Sequence, residues 1–269
     1  MSFSVLLSVY EKEKPEFFNQ AFESIWDEQT LKPDQIVLVK DGPLPYDLCI
    51  EISRWQGKLK DVLSIVELSE NVGLGAALNA GIEACNYDFI ARMDTDDISL
   101  PNRFEKQVAF MKAHPDIVAS SAVLEEWSKD LSQKIGVRLL PTCPFLIANF
   151  SKRRSPLSHP LVIFRKSIVT EVGGYPPLRK AQDYGLWSLL LIRGYKLANL
   201  SDTLLKMRTG TELHSRRGIV FLKHELALLR FQKKIGFLSY SQFITNFLLK
   251  AALRLSPVFI KKIAYRYLR

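Results

Sequence analysis

Asp88-Phe89-Ile90-Ala91-Arg92-Met93-Asp94-Thr95-Asp96-Asp97-Ile98-Ser99-Leu100-Pro101-Asn102-Arg103 is the stretch on which the fold of this chain turns. An apolar run of strand length ends in three carboxylates within four positions, and a proline then opens a helix-like segment. A strand that stops at an acidic cluster sets its carboxylates at the carboxyl edge of a sheet, where open α/β folds bind ligands. Carboxylates this close repel one another unless a cation or hydrogen-bond donors offset their charge. Mg²⁺ and Mn²⁺ prefer such oxygen ligands and are commonly shared with substrate phosphates. A turn in which Asp caps the next helix would need only one acid, so three favour a metal.

The flanking sequence supplies the sheet. Phe3–Val9 reads as a strand, and Pro15 opens a helix with Phe17, Phe18, Ala21, Phe22 and Ile25 at helical spacing. Gln35–Val39 is a second strand, ended by Lys40-Asp41-Gly42-Pro43; Leu48, Ile52 and Trp55 mark a second helix, and Val62–Leu68 a third strand. Asn71-Val72-Gly73-Leu74-Gly75 leads into a helix carrying Ala77, Leu78, Ile82 and Ala84, and the Asp-tipped strand follows. Four strands alternating with helices predict a parallel, Rossmann-like sheet. Right-handed crossovers bring Asp41, Asn71 and Asp94–Asp97 to one edge. Gly73-x-Gly75 is no dinucleotide fingerprint, since it lacks the third glycine position and misses the first βα turn.

Beyond Arg103 the pattern predicts a helix to His114-Pro115, a strand over Ile117–Leu124, and an irregular region from Thr142 to Pro160. That region holds Lys152-Arg153-Arg154 and Ser158-His159-Pro160. Leu161–Phe164 reads as a strand, a short helix reaches Gly173-Gly174-Tyr175, and Ala181-Gln182-Asp183-Tyr184-Gly185-Leu186-Trp187 starts another helix. His159 alone is as readily structural as functional, and Asp183 near a helix start is also a favourable N-terminal charge.

At 269 residues, 47% hydrophobic and 24% charged, the chain is of ordinary globular composition, which argues against disorder. Cys49, Cys85 and Cys143 are odd in number and too dispersed for a zinc or redox motif, so reduced thiols in the cytoplasm are expected. The first nine residues lack a basic n-region and are not expected to form a signal peptide. No window of 18 uninterrupted apolar residues marks a membrane span. The net charge of +9 is uneven: residues 206–269 carry 14 Lys/Arg against Glu212 and Glu225, whereas residues 1–205 carry 23 basic and 26 acidic side chains. The basic character belongs to the tail.

Five segments together resemble glycosyltransferase family 2, the inverting nucleotide-sugar enzymes of GT-A fold. They are Ser4–Tyr10, Val39-Lys40-Asp41-Gly42, Asn71-x-Gly73-Leu74-Gly75-x-Ala77-Leu78-Asn79, Ala91-Arg92-Met93-Asp94-Thr95-Asp96-Asp97 and Gln182-Asp183-Tyr184-x-Leu186-Trp187. They stand in family order. The resemblance implies an α/β fold with a Rossmann-like mixed sheet flanked by helices. It implies a catalytic domain over residues 1–210, with a nucleotide-sugar half to about residue 115 and an acceptor half beyond it, then an amphipathic basic helical extension over 211–269.

The resemblance also implies roles. Asp41 would bond the uracil of a UDP-sugar, Asp94 would contact the ribose region, and Asp96 would hold Mn²⁺ or Mg²⁺ against the diphosphate. Asp97 would share in the metal or donor-sugar contact. Tyr10, Glu11, Asn71, Gly73 and Arg92 complete the nucleotide-sugar set. Asp183 would be the base that deprotonates the acceptor hydroxyl, and His159, Gln182, Trp187, Arg216 and Arg217 would meet the acceptor or a diphosphate. Glu often precedes the base in this family, and an acid is frequent at the position of Gly185; Gln182 and Gly185 depart from that pattern. The chemistry agrees, because a diphosphate leaving group needs its developing charge stabilised. A sugar hydroxyl needs a positioned carboxylate to take its proton.

In the tail, Phe259, Ile260, Ile263 and Tyr267 oppose Lys261, Lys262, Arg266 and Arg269, a basic amphipathic pattern suited either to an anionic membrane surface or to packing with a solvated basic face. The motif order and this tail resemble bacterial enzymes of O-antigen, capsule or exopolysaccharide assembly, the amylovoran type among them. The expectation is transfer of galactose or glucose from a UDP-hexose to an undecaprenyl-diphosphate-linked saccharide, by an enzyme peripheral on the inner face of the cytoplasmic membrane. A sugar nucleotidyltransferase would need a Gly-rich basic loop after the first strand, where Tyr10-Glu11-Lys12-Glu13 stands. A non-catalytic protein binding membrane or nucleic acid on a degenerate fold would have no use for Asp41, Asp94, Asp96 and Asp183, and no nucleic-acid partner is expected.

Overall fold

The computed structural model describes residues 2–209 and 219–255. Strand β1 (Phe3–Val9) is the centre of the first half. It pairs in parallel with β2 (Gln35–Lys40) on one side and β4 (Phe89–Arg92) on the other, and β2 pairs in parallel with β3 (Leu63–Glu67). Helices α1 (Pro15–Trp26), α2 (Tyr46–Leu59) and α3 (Leu74–Ala84) supply the crossovers. Both faces of β1 are covered. Phe3, Val5, Leu7 and Val9 join Phe18, Phe22, Ile52 and Trp55 in one core, and Leu6 joins Leu78 and Ile82 in the other. A parallel strand covered on two sides reads as a continuous apolar run, which is why β1 is legible in the sequence. Helix α3 lies so close to the sheet that a Cβ at Gly81 would stand 2.4 Å from the Leu6 side chain.

The second half turns the sheet mixed. Strand β8 (Ile163–Arg165) runs antiparallel between β4 and β6 (Ile117–Trp127), and β6 pairs in parallel with the long β9 (Lys196–Arg208). The short β5 (Ile98–Ser99), just past the acidic cluster, pairs antiparallel with the end of β9, and β7 (Lys134–Arg138) forms a hairpin on β6. The strand order is β3-β2-β1-β4-β8-β6-β9-β5. Helix α4 (Arg103–Ala113) follows the acidic turn, α5 (Pro144–Phe150) lies in the region read as irregular, and α6 (Lys166–Glu171) leads to Gly173-Gly174. Helix α7 (Gln182–Ile192) follows Ala181, whose φ of 58° and ψ of 31° are left-handed.

The structure revises two expectations from sequence and adds a strand that the pattern does not announce. The segment read as a strand from Leu161 begins as a 3₁₀ turn over His159–Leu161, and the strand starts at Ile163. Pro101 stands in a turn, and helix begins two residues later at Arg103. Strand β9 had no counterpart in the pattern reading. Its partners change along its length, with β6 throughout and β5 only at one end, so its burial does not alternate cleanly.

Helices α8 (Ile219–Lys234) and α9 (Tyr240–Leu255) form an antiparallel pair on this body. Leu229, Phe237 and Leu238 pack with Leu191, Gln232 Nε2 donates to Ser188 Oγ at 2.8 Å, and Asn246 Nδ2 donates to the Lys152 carbonyl at 2.7 Å. Arg254 and Lys250 both pair with Glu225, which ties the helices together and holds that carboxyl below its usual range. The 210/211 boundary, Arg216, Arg217 and the basic run from Lys261 to Arg269 lie outside the described residues. No helix among the described residues is long and apolar enough to cross a membrane.

Candidate active site

The carboxyl ends of β1, β2 and β4 open into a cavity of about 600 Å³. Tyr10, Glu11 and Glu13 line it from the end of β1, Asp41 from β2, Asn71 and Gly73 from the loop after β3, and Asp94 and Asp96 from the turn after β4. Arg179, Lys180 and Gln182 close it from the second half. Right-handed crossovers alone gather the first four groups, as the sequence pattern implies.

Asp41 is buried, and its carboxylate organises the loop opposite. Val72 N–H donates to Oδ1 at 2.8 Å and Gly73 N–H to Oδ2 at 3.2 Å, while Asn71 Nδ2 donates to the Asp41 carbonyl at 3.3 Å. Gly42 makes that approach possible: its φ is +88°, and a Cβ there would stand 2.7 Å from the Asn71 nitrogen. Asp41 remains at the cavity surface, where an unfilled carboxylate lone pair can still accept from a ligand.

Carboxylate oxygens of Asp94, Asp96 and Asp97 all lie within 4.8 Å of one another, a spacing one cation can bridge. Arg92 pairs with Asp94 from beneath, at 1% exposure, and leaves Nε and Nη1 without partners. Arg103 Nη2 in turn donates to the Arg92 carbonyl at 2.7 Å; burial and the Arg92 charge pull Arg103 down to about 9. Asp97 is buried, with Oδ1 accepting from Arg208 N–H at 2.9 Å and Oδ2 orphaned. Burial first, then the Asp96 and Asp94 charges, holds its carboxyl well above the usual range. Burial, Asp94 and Glu13 push Asp96 up to about 7. An orphaned buried oxygen beside carboxylates that resist ionising together fits a divalent cation held by Asp94 and Asp96, with Asp97 behind.

Two residues outside the sequence-derived set hold this turn. Thr95 Oγ1 donates to Glu13 Oε2 at 2.5 Å, linking the acidic turn to the loop after β1. Arg208, at the end of β9, donates to the Asp96 carbonyl, to Gln20 Oε1 on α1 and, at 3.1 Å, to the Lys129 carbonyl. Its guanidinium lies 4.4 Å over the Phe17 ring. Nothing in the local sequence around Arg208 announces a partner 112 residues away; only the pairing of β9 with β5 reveals it.

Asp183 sits in the first turn of α7, half-buried, beside Gln182. Burial raises its carboxyl, against backbone N–H groups and the Arg92 charge, which lower it. Gln182, at the start of the same helix, lines the cavity, whereas Asp183 itself is not among the lining residues. His159 and Trp187 do not line the cavity. His159 Nε2 pairs with the Tyr175 hydroxyl at 2.9 Å, and burial with the nearby Arg92 charge keeps the ring neutral. Trp187 is fully buried with its ring edge-on to His159 at 6.4 Å. The structure thus brings Tyr10, Glu11, Asp41, Asn71, Gly73, Asp94, Asp96 and Gln182 to one surface; Arg92, Asp97 and Trp187 are buried, and the half-buried His159 and Asp183 do not line it.

A model of glycosyl transferase family 2 matches residues 4–173 of the chain. Over 267 residues the chain is 41% identical to the amylovoran biosynthesis glycosyltransferase AmsE of Erwinia amylovora, covering 98% of this chain and 97% of that one. It is 33% identical over 267 residues to the UDP-Gal:alpha-D-GlcNAc-diphosphoundecaprenol beta-1,3-galactosyltransferase of Escherichia coli, with 98% and 95% covered. Among solved structures, S. aureus TarS 1–349 in complex with UDP-GlcNAc superposes with a TM-score of 0.66 at 19% identity, over 94% of this chain and 73% of that chain. Of the longer TarS chain, this one spans 39%. The mannosyltransferase PcManGT from Pyrobaculum calidifontis, solved with GDP-Man and Mn²⁺, superposes at 0.63 and 16% identity, over 99% and 80%. At those identities the structural likeness establishes the GT-A fold.

Proposed function

The chain belongs to glycosyl transferase family 2, and on that premise we propose that it moves a hexose, galactose or glucose, from a UDP-sugar to a lipid-diphosphate-linked saccharide. The product would be a repeat unit of an O-antigen, capsule or exopolysaccharide. The relatives named for amylovoran biosynthesis and for a diphosphoundecaprenol acceptor support this setting. A protein peripheral on the inner face of the cytoplasmic membrane is the arrangement such an acceptor requires.

One observation carries the reading: Asp41, Asp94 and Asp96 line a single cavity with Gln182, the residue before Asp183 on α7. Asp41 and the loop it holds would take the uracil, with Tyr10, Glu11 and Asn71 around the nucleoside. Mn²⁺ or Mg²⁺ bound by Asp94 and Asp96 would supply the positive charge that a departing diphosphate needs. Asp183 would take the proton from the acceptor hydroxyl as that oxygen attacks the anomeric carbon from the face opposite the leaving group, so the centre inverts. Burial, which raises its carboxyl, makes it a stronger base than an exposed Asp. Gln182, where an acid is frequent in the family, would orient the acceptor without adding a second negative charge.

The test is a screen of UDP-hexoses against synthetic lipid-diphosphate saccharides, read by mass spectrometry. A product heavier by one hexose, dependent on UDP-galactose or UDP-glucose, is the expected result. Nucleotidyl transfer from UTP to a sugar phosphate, with no hexose transfer, would refute it.

A further inference from the structure

A second cavity, about 650 Å³, adjoins the first, and Asn71, Gly73, Leu74 and Arg179 line both. Its other walls combine the apolar Val72, Ala76, Pro176, Pro177 and Leu178 with Asn79 and Tyr175. Val72 is 46% exposed, a β-branched side chain held out beside the opening. The wall is fixed in place. Asn79 on α3 donates from Nδ2 to the Tyr175 carbonyl at 2.9 Å and accepts from Tyr175 N–H at 2.8 Å, clamping the 175–179 segment to α3. Gly174, at φ +71°, allows the clamp, since a Cβ there would stand 2.5 Å from Asn79 Oδ1.

Arg179 and Lys180 are exposed at the junction, and neither is in an ion pair among the described residues. The next residue is left-handed Ala181, a conformation that costs a non-glycine residue about 1–2 kcal/mol. That turn separates two cations facing the cavities from Gln182 and Asp183 on the helix. The acidic end of the first cavity lies with Asp94 and Asp96, and the basic end lies here.

We infer that Arg179 and Lys180 bind the diphosphate of the acceptor, and that the second cavity takes the apolar segment attached to it. This rests on the acceptor class proposed above. In such an acceptor the reacting hydroxyl, the diphosphate and the lipid follow one another along the molecule. The two cavities set out matching groups in the same order: Gln182 and Lys180 line the first, Arg179 lines both, and Leu178, Pro177 and Pro176 line the second. Arginine and lysine beside an oxyanion make charge-assisted hydrogen bonds, the stronger kind. The donor's diphosphate is the other source of the same chemistry, but it is held where the metal-binding acids are.

Full-length protein saturated with UDP and Mn²⁺ is titrated with farnesyl diphosphate, farnesol and pyrophosphate by calorimetry. Farnesyl diphosphate is expected to bind alongside UDP and more tightly than farnesol or pyrophosphate. The double change Arg179→Gln with Lys180→Gln should weaken it by about 10- to 100-fold and leave UDP affinity unchanged. Leu178→Asp should weaken farnesyl diphosphate while sparing pyrophosphate. Loss of UDP affinity with farnesyl diphosphate unaffected would give the two cations to the donor and overturn the inference, as would absence of farnesyl diphosphate binding to the unaltered protein. A failure of the acceptor class reads differently: the hexose screen would show no transfer to lipid-diphosphate saccharides, and the same screen run on saccharides without a diphosphate would show it.

Discussion

Removing one acid from the acidic turn should stabilise the protein in the absence of divalent cations at alkaline pH. Asp96 is pushed up to about 7 by burial and by Asp94 and Glu13, whereas an Asp in an unfolded chain titrates near 3.9. Between those values the folded state holds a proton that the unfolded state has released, so stability falls as pH rises through the window. A displacement of about three units corresponds to about 4 kcal/mol once Asp96 is ionised. Because Asp97 is also held up and interacts with Asp96, that figure belongs to the pair. His159 works in the opposite sense. Its folded value is depressed, so its contribution to stability grows as pH rises towards about 6.5. Asp96→Asn removes the carboxylate contribution and keeps that of His159, so the difference between the two proteins isolates the acid. In EDTA at pH 8 the Asn variant should be more stable by up to about 4 kcal/mol, or roughly 8–16 °C in Tm for a chain of this size. The gap should shrink as pH falls and close below about pH 4. Mn²⁺ at 100 times its Kd should add about 2.7 kcal/mol to the unaltered protein and little to the variant. Denaturant unfolding from pH 5 to 8 measures this. A variant less stable than the parent at pH 8, or a gap independent of pH, would refute the account of the cluster.

Three further outcomes follow from the same geometry. Asp183→Asn keeps shape and loses the proton acceptor, so transfer should fall by about 10²- to 10⁴-fold with UDP-sugar affinity retained; in the parent, transfer should decline as pH drops through the raised value of Asp183, because only the carboxylate accepts the proton. Near-normal transfer by a folded Asp183→Asn protein would leave Asp183 as a helix-terminal charge. Asp41→Ala frees the Val72 and Gly73 N–H groups and should weaken UDP by roughly 1.5–3 kcal/mol in calorimetry, and unchanged affinity would place the uracil elsewhere. Deleting residues 257–269 removes four basic side chains and should reduce salt-sensitive sedimentation with anionic liposomes, each cation contributing about 1 kcal/mol at most; equal sedimentation would leave the basic run a solvated surface.

The first half of the fold is legible because its local and long-range requirements coincide. β1 is buried on both faces and therefore apolar throughout, and each crossover helix shows its core residues at helical spacing. The second half lacks that coincidence. β9 is buried without a regular alternation and gains a second partner only at one end, β7 carries Lys134, Gly136 and Arg138, and α5 is only seven residues long. Their periodicities are weak because tertiary pairing, not burial of one face, selects their conformation.

The site divides along the same line, and the division has a physical reason. The acids that line the cavity follow strand ends, and a strand end is a local event that a sequence displays: Asp41 after β2, Asp94 after β4. The groups that make those acids tolerable are partners chosen by the fold. Arg208 reaches back from β9 to the Asp96 carbonyl, Glu13 accepts from Thr95 across 82 residues, and Arg103 stacks its charge under Arg92. Each would read in isolation as a surface charge, yet Arg92 and Arg103 are at most 1% exposed. Buried cations beneath crowded carboxylates lower the cost of keeping Asp94, Asp96 and Asp97 together without annulling it, as the raised values of Asp96 and Asp97 record. The residual cost is what a divalent cation would relieve on binding, so the stability lost to the empty cluster becomes affinity for the metal and the diphosphate that comes with it.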